Sequence, residues 1–596
     1  MTNKKFLFIG MAVLLSASLF LIGCGGDEEE VGTPAPSAAE TLVEDLGGAE
    51  KASVDGTTVT LTDNVVLAKN VTVPSGVTLT VGAGKTLTVP ADKTLTVTGT
   101  LNGAGETSTL VLGVAVTVAG TELAAGTYVW YGNAWKTETA VAEAKAAALA
   151  TALGAGNATA NGATVTLTAA TVSIAQNDTL TIPANVTLVV PNGTTFSMAG
   201  TFNVTGAVNV ESGGEYQFLS TGNGTISGNI TIESGGAVVS VGGGDLSGSG
   251  WTVVQQGGKA YLDVNKTTMF VGTTNDNAAW IKLTSGSVST NNSGYKLEGE
   301  ATLGTTFAVA SEKTLSVAGG ATLNVVVTSG VLNVAGTLDV AGTLNVAGTV
   351  NVNNGGKYVF QATGRGTSTG TINIASGGEV LSVPGSDMAG TGYTVVQFGG
   401  KAYSGASWDN KRTFVGGSSD SPLPIIALTT GSVSTNNHGY ELDGEATMYG
   451  TPASNSQGNF TVGETGDGSD SAHKNSRLVL KAGSVLTVPG DNLATNKHIL
   501  LVVTNSTGNL PGVTGEPASG GTAAARIVLG VHGYLDLYHT DASGLGPGDY
   551  SGTTSSLPHN FYDSSSNKIT INSLCNKTFT WDAAAGGSSV AGWKSN

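Results

Sequence analysis

The stretch Gly330 to Val352, GVLNVAGTLDVAGTLNVAGTVNV, limits the fold more than any other part of the chain. Leu332, Leu338, Leu344 and Val350 recur at a spacing of six, and so do Val334, Val340, Val346 and Val352. Apolar and polar positions alternate within each unit, which is the period of a strand, and Ala-Gly closes the first three units as a corner. A strand of four residues cannot bury its apolar side alone, so the units must stack on one another.

Composition says what the outside of such a stack is made of. Charged residues are 12% of the 596, against a usual ~25%, and glycine is 88 residues, about twice its ordinary share. Outward positions are therefore mostly Thr, Ser, Asn and Gly, and Thr suits an outward strand position because it is both a β-former and polar. The net charge of −17, with no basic tract beyond Lys4-Lys5, repels phosphate backbones, and no nucleic-acid partner is expected.

Lys4-Lys5 precedes an apolar run from Phe6 to Ile22, a charged region followed by a hydrophobic one as in a secretory signal. The run is short for a transmembrane anchor, and Asp27-Glu28-Glu29-Glu30 follows it instead of a basic stop. It closes on Leu21-Ile22-Gly23-Cys24, which resembles the lipobox of bacterial lipoproteins. The resemblance implies that Cys24 is acylated and becomes the mature N-terminus, with the membrane as partner through that lipid. Gly25-Gly26 in place of an early Asp implies the outer membrane. The acidic run looks like a surface-export signal and reads equally as a solvated tether. With Cys24 so used, Cys575 has no partner, and an intramolecular disulfide framework is not expected.

Organisation follows from the rhythms. Residues 1–23 read as signal peptide and 24–38 as an acidic, Pro-containing tether. Residues 39–136 form a first β-repeat unit with an aromatic end. Its rhythm of eight runs through Val71/Val73, Leu79/Val81, Leu87/Val89 and Leu95/Val97, and it closes on Thr127-Tyr128-Val129-Trp130 and Trp135-Lys136. Residues 137–206 hold an Ala-rich helix and a second β-repeat unit. Residues 207–302 and 349–447 are two copies of one larger block, flanking the array at 303–348. Trp251-Thr252-Val253-Val254-Gln255 returns as Tyr393-Thr394-Val395-Val396-Gln397, and GSVSTNN at Gly286 to Asn292 returns unchanged at Gly431 to Asn437. Residues 448–596 are a less regular C-terminal β region and cap, with Ala453 to Ser476 as a loop. Aromatics at unit ends suit the capping of an open strand edge.

The GTLxVAG and VTLTVxxGKTLTV rhythms resemble the passenger solenoids of autotransporters and filamentous-haemagglutinin-type adhesins. That implies an all-β parallel β-helix over most of Thr57 to Thr447, with short helices near 39–51 and 139–153. No run of ten-residue alternating strands suited to a membrane barrel follows Gly450. With three strands per coil, six-residue units give 18-residue coils and eight-residue units 24. At ~4.8 Å per coil, a stack of some 20 would reach on the order of 100 Å.

Chemical signals are sparse, and no catalytic residue, cofactor or metal site is expected. Gly82-Ala83-Gly84-Lys85-Thr86 resembles the end of a phosphate loop, but Leu79 stands where the motif needs another Gly, and a strand follows. Glu464, Asp467 and Asp470 share a Gly-rich loop without calcium-binding spacing. Asp536 and His539 would point to opposite faces of one strand, away from a common site with Asp541. Asp245/Asp387 and Lys259/Lys401 recur in both copies, as turn and surface residues. Thr78/Thr80, Thr86/Thr88 and Thr94/Thr96 read as outward β-formers. The pairs Trp251/Tyr393, Tyr261/Tyr403 and Tyr295/Tyr440 either stack on sugars or pack a core. Three function classes remain open: a lipid-anchored solenoid with an adhesive or envelope-structural role and no catalysis, a surface protein binding a glycan or protein ligand, and a polysaccharide-degrading β-helix enzyme.

Overall fold

The computed structural model describes residues 35–242, 245–327, 330–420, 424–436 and 439–449. Beyond these it describes 458–462, 477–488, 498–503, 513–515, 521–523, 526–529, 534–538, 561–563, 568–572, 577–581 and 593–595. Cys24, the signal and most of the tether lie outside the described residues, as do Cys575, Glu464, Asp467, Asp470, His539 and Asp541. The chain divides into two units, Met1–Val141 and Ala142–Asn596.

The fold is a parallel β-solenoid of about 16 turns. In the array, Val331–Val334, Thr337–Val340 and Thr343–Val346 lie on three successive faces, and Thr349–Val352 returns to pair in parallel with the first. Asn351 stacks on Asn333 18 residues earlier, so three six-residue units do close one coil. Flanking coils are longer; Asn373 stacks on Asn351 across 22 residues. Every strand of the array alternates half-buried and buried positions. Leu338, Leu344 and Val350 are fully enclosed, each side chain worth roughly 1.5–3 kcal/mol of burial.

The glycine of each Ala-Gly corner has a packing reason. A Cβ on Gly336 would lie 2.2 Å from the carbonyl oxygens of both Ala310 and Lys313 in the coil beneath, and Gly342 and Gly348 are equally crowded. The Gly336 amide donates to the Val309 carbonyl at 3.1 Å, so the corner sits directly on the preceding coil. Longer corners use the left-handed region instead, as at Gly377 with φ of 76°.

In the first unit α1 spans Ala38–Asp45 and opens on a capping box, with Ser37 and Glu40 each bonding the other's backbone amide. It stops short of the expected Lys51 because Gly47 and Gly48 take φ of 109° and 83°, and a strand begins at Ala52. Its coils end in an antiparallel hairpin, Gly126–Tyr131 with Ala134–Thr137, laid on Thr109–Leu112. Trp130 and Trp135 meet edge to face at 5.4 Å, and the Trp135 indole donates to the Leu101 carbonyl. Helix α2, Glu138–Ala152, begins in the first unit and ends in the second, where Ala146 and Leu149, with Leu153 just past its end, belong to the hydrophobic core.

Two expectations need correction. The duplicated blocks are not continuous parallel coil. Trp251–Gln255 is parallel to Asn229–Ile232 on one edge and antiparallel to Ile281–Asn291 on the other. Ile281–Asn291 and Gly294–Leu303 then form a long hairpin, and Gly294–Leu303 restarts the parallel stack beneath Thr314–Val317 and Thr322–Val325. The second copy repeats this with Tyr393–Gln397, Ser432–Asn436 and Gly439–Asp443. The second concerns the loop expected over Ala453 to Ser476, in the less regular C-terminal region. Glu445–Met448, Val485–Val488 and Arg526–Leu529 stack in parallel, and so do Gly458–Val462, His498–Val503 and Tyr534–Tyr538. Gly458–Val462 therefore interrupts the expected loop. Here neighbouring coils are about twice as far apart in sequence, with Ser484 reaching Gly444 across 40 residues, and the inserted loops erase the period. Lys577–Trp581 and Trp593–Ser595 end the stack antiparallel, as in the first unit.

Candidate functional site: matching cavities in the duplicated blocks

Along the coils the outward face is repetitive. Asn345 donates to Asn324 and Asn324 to Glu300, while Asn373, Asn351 and Asn333 form a second row. Each side-chain amide donates to the one below, so these rows tie coils together and offer little singular chemistry. The threonine rows of the first unit are similarly half-buried or exposed. In Gly82 to Thr86 the Gly84 amide donates to the Thr107 hydroxyl, and Thr86 opens a strand, so no helix terminus faces an anion.

The two hairpin blocks differ from this background. Each hairpin stands where a further coil strand would lie, and it does not fill the space above the previous coil's apolar interior. In the second copy a cavity of about 370 Å³ results. Its floor is Tyr358, Phe360, Ile372 and Val396, all buried, and its mouth carries the exposed, in-register pair Ser382 and Ser404. The first copy has the matching cavity at about 180 Å³, bordered by Tyr216, Phe218 and Val254. Register makes Trp280 the counterpart of Ile425, since Ile281 faces Val271 as Ile426 faces Val415. The Trp280 indole borders the smaller cavity and packs edge to face on Phe270 at 6.3 Å. Leu262 likewise borders the first cavity where Ser404 borders the second.

A tyrosine borders each cavity, Tyr216 in the first copy and Tyr358 in the second, and the hydroxyl of each is buried with no hydrogen-bond partner in the protein. Burial pushes both hydroxyls well above the usual tyrosine range, so each stays a neutral donor.

The residues singled out in the sequence fall on either side of this site. Tyr295 packs against Phe270 and Phe307, and Tyr440 against Phe414. Both tyrosines border their cavities, and burial raises both hydroxyls. Tyr403 is 7% exposed; burial, then its hydrogen bond to Glu379, raises its hydroxyl. Lys411 sits 4.0 Å over its ring. Trp251 and Tyr261 are half-buried, which leaves Tyr393, 37% exposed, as the most open of the six. Lys259 and Lys401 bond Asp276 at 2.9 Å and Asp420 at 2.7 Å, bracing a loop in each copy. Burial pushes Asp276 up, but the Thr273 amide and hydroxyl and Lys259 outweigh it and hold the carboxyl below its usual range. Asp245 and Asp387 are exposed, and Asp245 accepts from Asn292. Among the described residues no three His, Cys, Asp or Glu side chains gather as a metal site, and no helix is long and apolar enough to cross a membrane.

Sequence reasoning missed the cavities. The signal was present in Asn291-Asn292-Ser293-Gly294, a two-residue loop between alternating segments that marks a hairpin.

No family model and no curated protein matches the chain. Among solved structures it is similar to a TibC-catalysed hyper-glycosylated TibA55-350 fragment, 16% identical, over 62% of this chain and 97% of that one, with a TM-score of 0.19.

Proposed function

We propose that this protein is exported, held by lipid on Cys24 at the outer membrane, and acts there as a non-catalytic adhesive or envelope-structural solenoid. The observation that carries this reading is the exterior itself: rows of Thr and Asn that repeat from coil to coil and serve stacking. A surface built by repetition offers many equivalent shallow contacts, which suits adhesion or spacing. Catalysis needs a few groups brought together once. The ending of Lys4-Lys5 and the apolar run at Leu21-Ile22-Gly23-Cys24 supports the anchor.

The test is cell fractionation with Cys24→Ala beside the wild type, followed by protease shaving of intact cells. The reading expects wild type in the outer membrane and accessible to protease, and Cys24→Ala released. Retention of Cys24→Ala in the membrane contradicts the anchor. Turnover of a polysaccharide by the purified chain contradicts the non-catalytic role.

A further inference from the structure

We propose that Lys357 and Lys411, which converge on the Trp408 indole on the outer face of the second duplicated block, hold the carboxylate of an acidic sugar. The adhesive reading above gives such a site its use; its chemistry comes from the loop itself. Val359, Leu381 and Tyr403 stand in register on successive coils and form a row that faces outward. The three are buried, and Trp408, in the loop between Lys401–Gly405 and Lys411–Gly417, packs on them, edge to face with Tyr403 at 5.7 Å. The Lys411 ammonium lies 4.5 Å from the indole centroid and 4.0 Å from that of Tyr403, and the Lys357 ammonium lies 5.2 Å from the indole. Attraction to the rings positions both charges. Among the described residues neither makes an ion pair, whereas Lys259, Lys266, Lys296 and Lys401 each do. The two charges are at most about 10 Å apart, roughly one Debye length, so they repel one another and jointly attract an anion. At that range the chain's net charge of −17 is largely screened, and the local pair decides what an anion meets. The acids beside them are Glu379, which accepts from the Tyr403 hydroxyl, and the exposed Asp409; both can also accept from sugar hydroxyls. The half-buried indole adds apolar surface for the C–H groups of a sugar ring.

Comparison of the copies sharpens the assignment. Glu215, Ala237 and Lys259 stack in register as Lys357, Glu379 and Lys401 do. Counting back from Phe270 and Phe414, Val264 and Thr267 stand where Trp408 and Lys411 stand. In the first copy Lys266 of the loop bonds Glu215 at 2.7 Å, so its charge is answered within the chain. The second copy has Lys357 in place of that glutamate, which reverses the charge under the loop, and it adds a second cation and an indole. Folding does not demand these exchanges, since the first copy forms the same loop without them.

The experiment uses the purified full-length chain with trigalacturonate and its fully methyl-esterified, neutral form, and reads dissociation constants by titration calorimetry. Wild type should bind the acid saturably and about tenfold more tightly than the ester. Lys357→Glu, which copies the first block, should weaken the acid about tenfold and leave the ester unchanged. Lys357→Gln stands in if the reversed charge lowers the urea midpoint. Lys411→Gln should weaken the acid about threefold or more, and Trp408→Val should weaken both forms. Lys266→Gln, in the first copy, should change neither. Inorganic sulfate and phosphate are competing arms; displacement by either at the concentration trigalacturonate needs would mark a free-anion site and overturn the sugar. No saturable binding of the acid, equal binding of acid and ester, or undiminished binding in both lysine variants overturns the site. Binding is read in solution, so failure of the Cys24 anchor in the fractionation test leaves this result standing, and failure here leaves the anchor standing.

Discussion

The six-residue array and the block that follows it use the same four-residue strand, yet one is closed and the other hollow. Between Thr337 and Val352 each strand rests on another of the same length, and Leu338, Leu344 and Val350 are fully buried. From Tyr393 to Met448 the stack instead meets an antiparallel hairpin, whose strands cross the top of the coil and leave space over Tyr358 and Phe360. Strict repetition thus yields a sealed interior and a plain exterior. Broken repetition yields an opening.

Substitutions should widen or erase this contrast. The largest effect is expected at an array corner. Gly336→Val puts carbon against two carbonyl oxygens and should cost more than about 3 kcal/mol, read as a lowered urea midpoint. Gly319→Ala, at a corner with open space, should stay within about 0.5 kcal/mol. Next in size is a truncation pair. Leu344→Ala in the sealed array should cost about 3 kcal/mol, whereas Met388→Ala, already facing the cavity, should cost under about 1 kcal/mol. Equal losses would mean the two regions are packed alike. The smallest effect concerns the braced loop of the first block. Asp276 titrates below its unfolded value, so its stabilisation is present above about pH 4 and is lost as pH falls through the folded value. Asp276→Asn should flatten the acid limb of the melting profile between pH 5 and 3 by under about 1 kcal/mol and leave Leu344→Ala additive.

The parallel stack was legible because its period is written in the residues: alternation fixes the strand, and Ala-Gly fixes the corner. The reason for that glycine was not legible, since the crowding comes from the carbonyls of Ala310 and Lys313, some twenty-five residues earlier in the chain. Helix α2 was placed within a residue at each end by its alanines. The end of α1 was misjudged because Leu46 continues the apolar spacing up to Gly47 and Gly48. Past Gly450 the strands persist but the spacing stretches to about forty residues, and the inserted loops hide the period. The cavities were hidden for a different reason. Tyr295 and Tyr440 were recognised as paired aromatics, but a cavity is a property of what fails to fill a space. Trp280 borders the first cavity while its counterpart Ile425 does not border the second, and neither lies in a segment that attracts notice in the sequence.

Strands return to register after three faces, and a pair of cysteines reads that register directly. Asn333 and Asn351 stack on adjacent coils of one face with their amides 2.9 Å apart, whereas Asn345, on a different face, does not pair with Asn333. In a Cys24→Ala background, Asn333→Cys with Asn351→Cys should form a disulfide readily under mild oxidation, since neighbouring strands lie ~4.8 Å apart, within disulfide reach. Asn333→Cys with Asn345→Cys should remain reduced within the monomer. Efficient intramolecular crosslinking of the second pair, or none of the first, would contradict the three-faced coil.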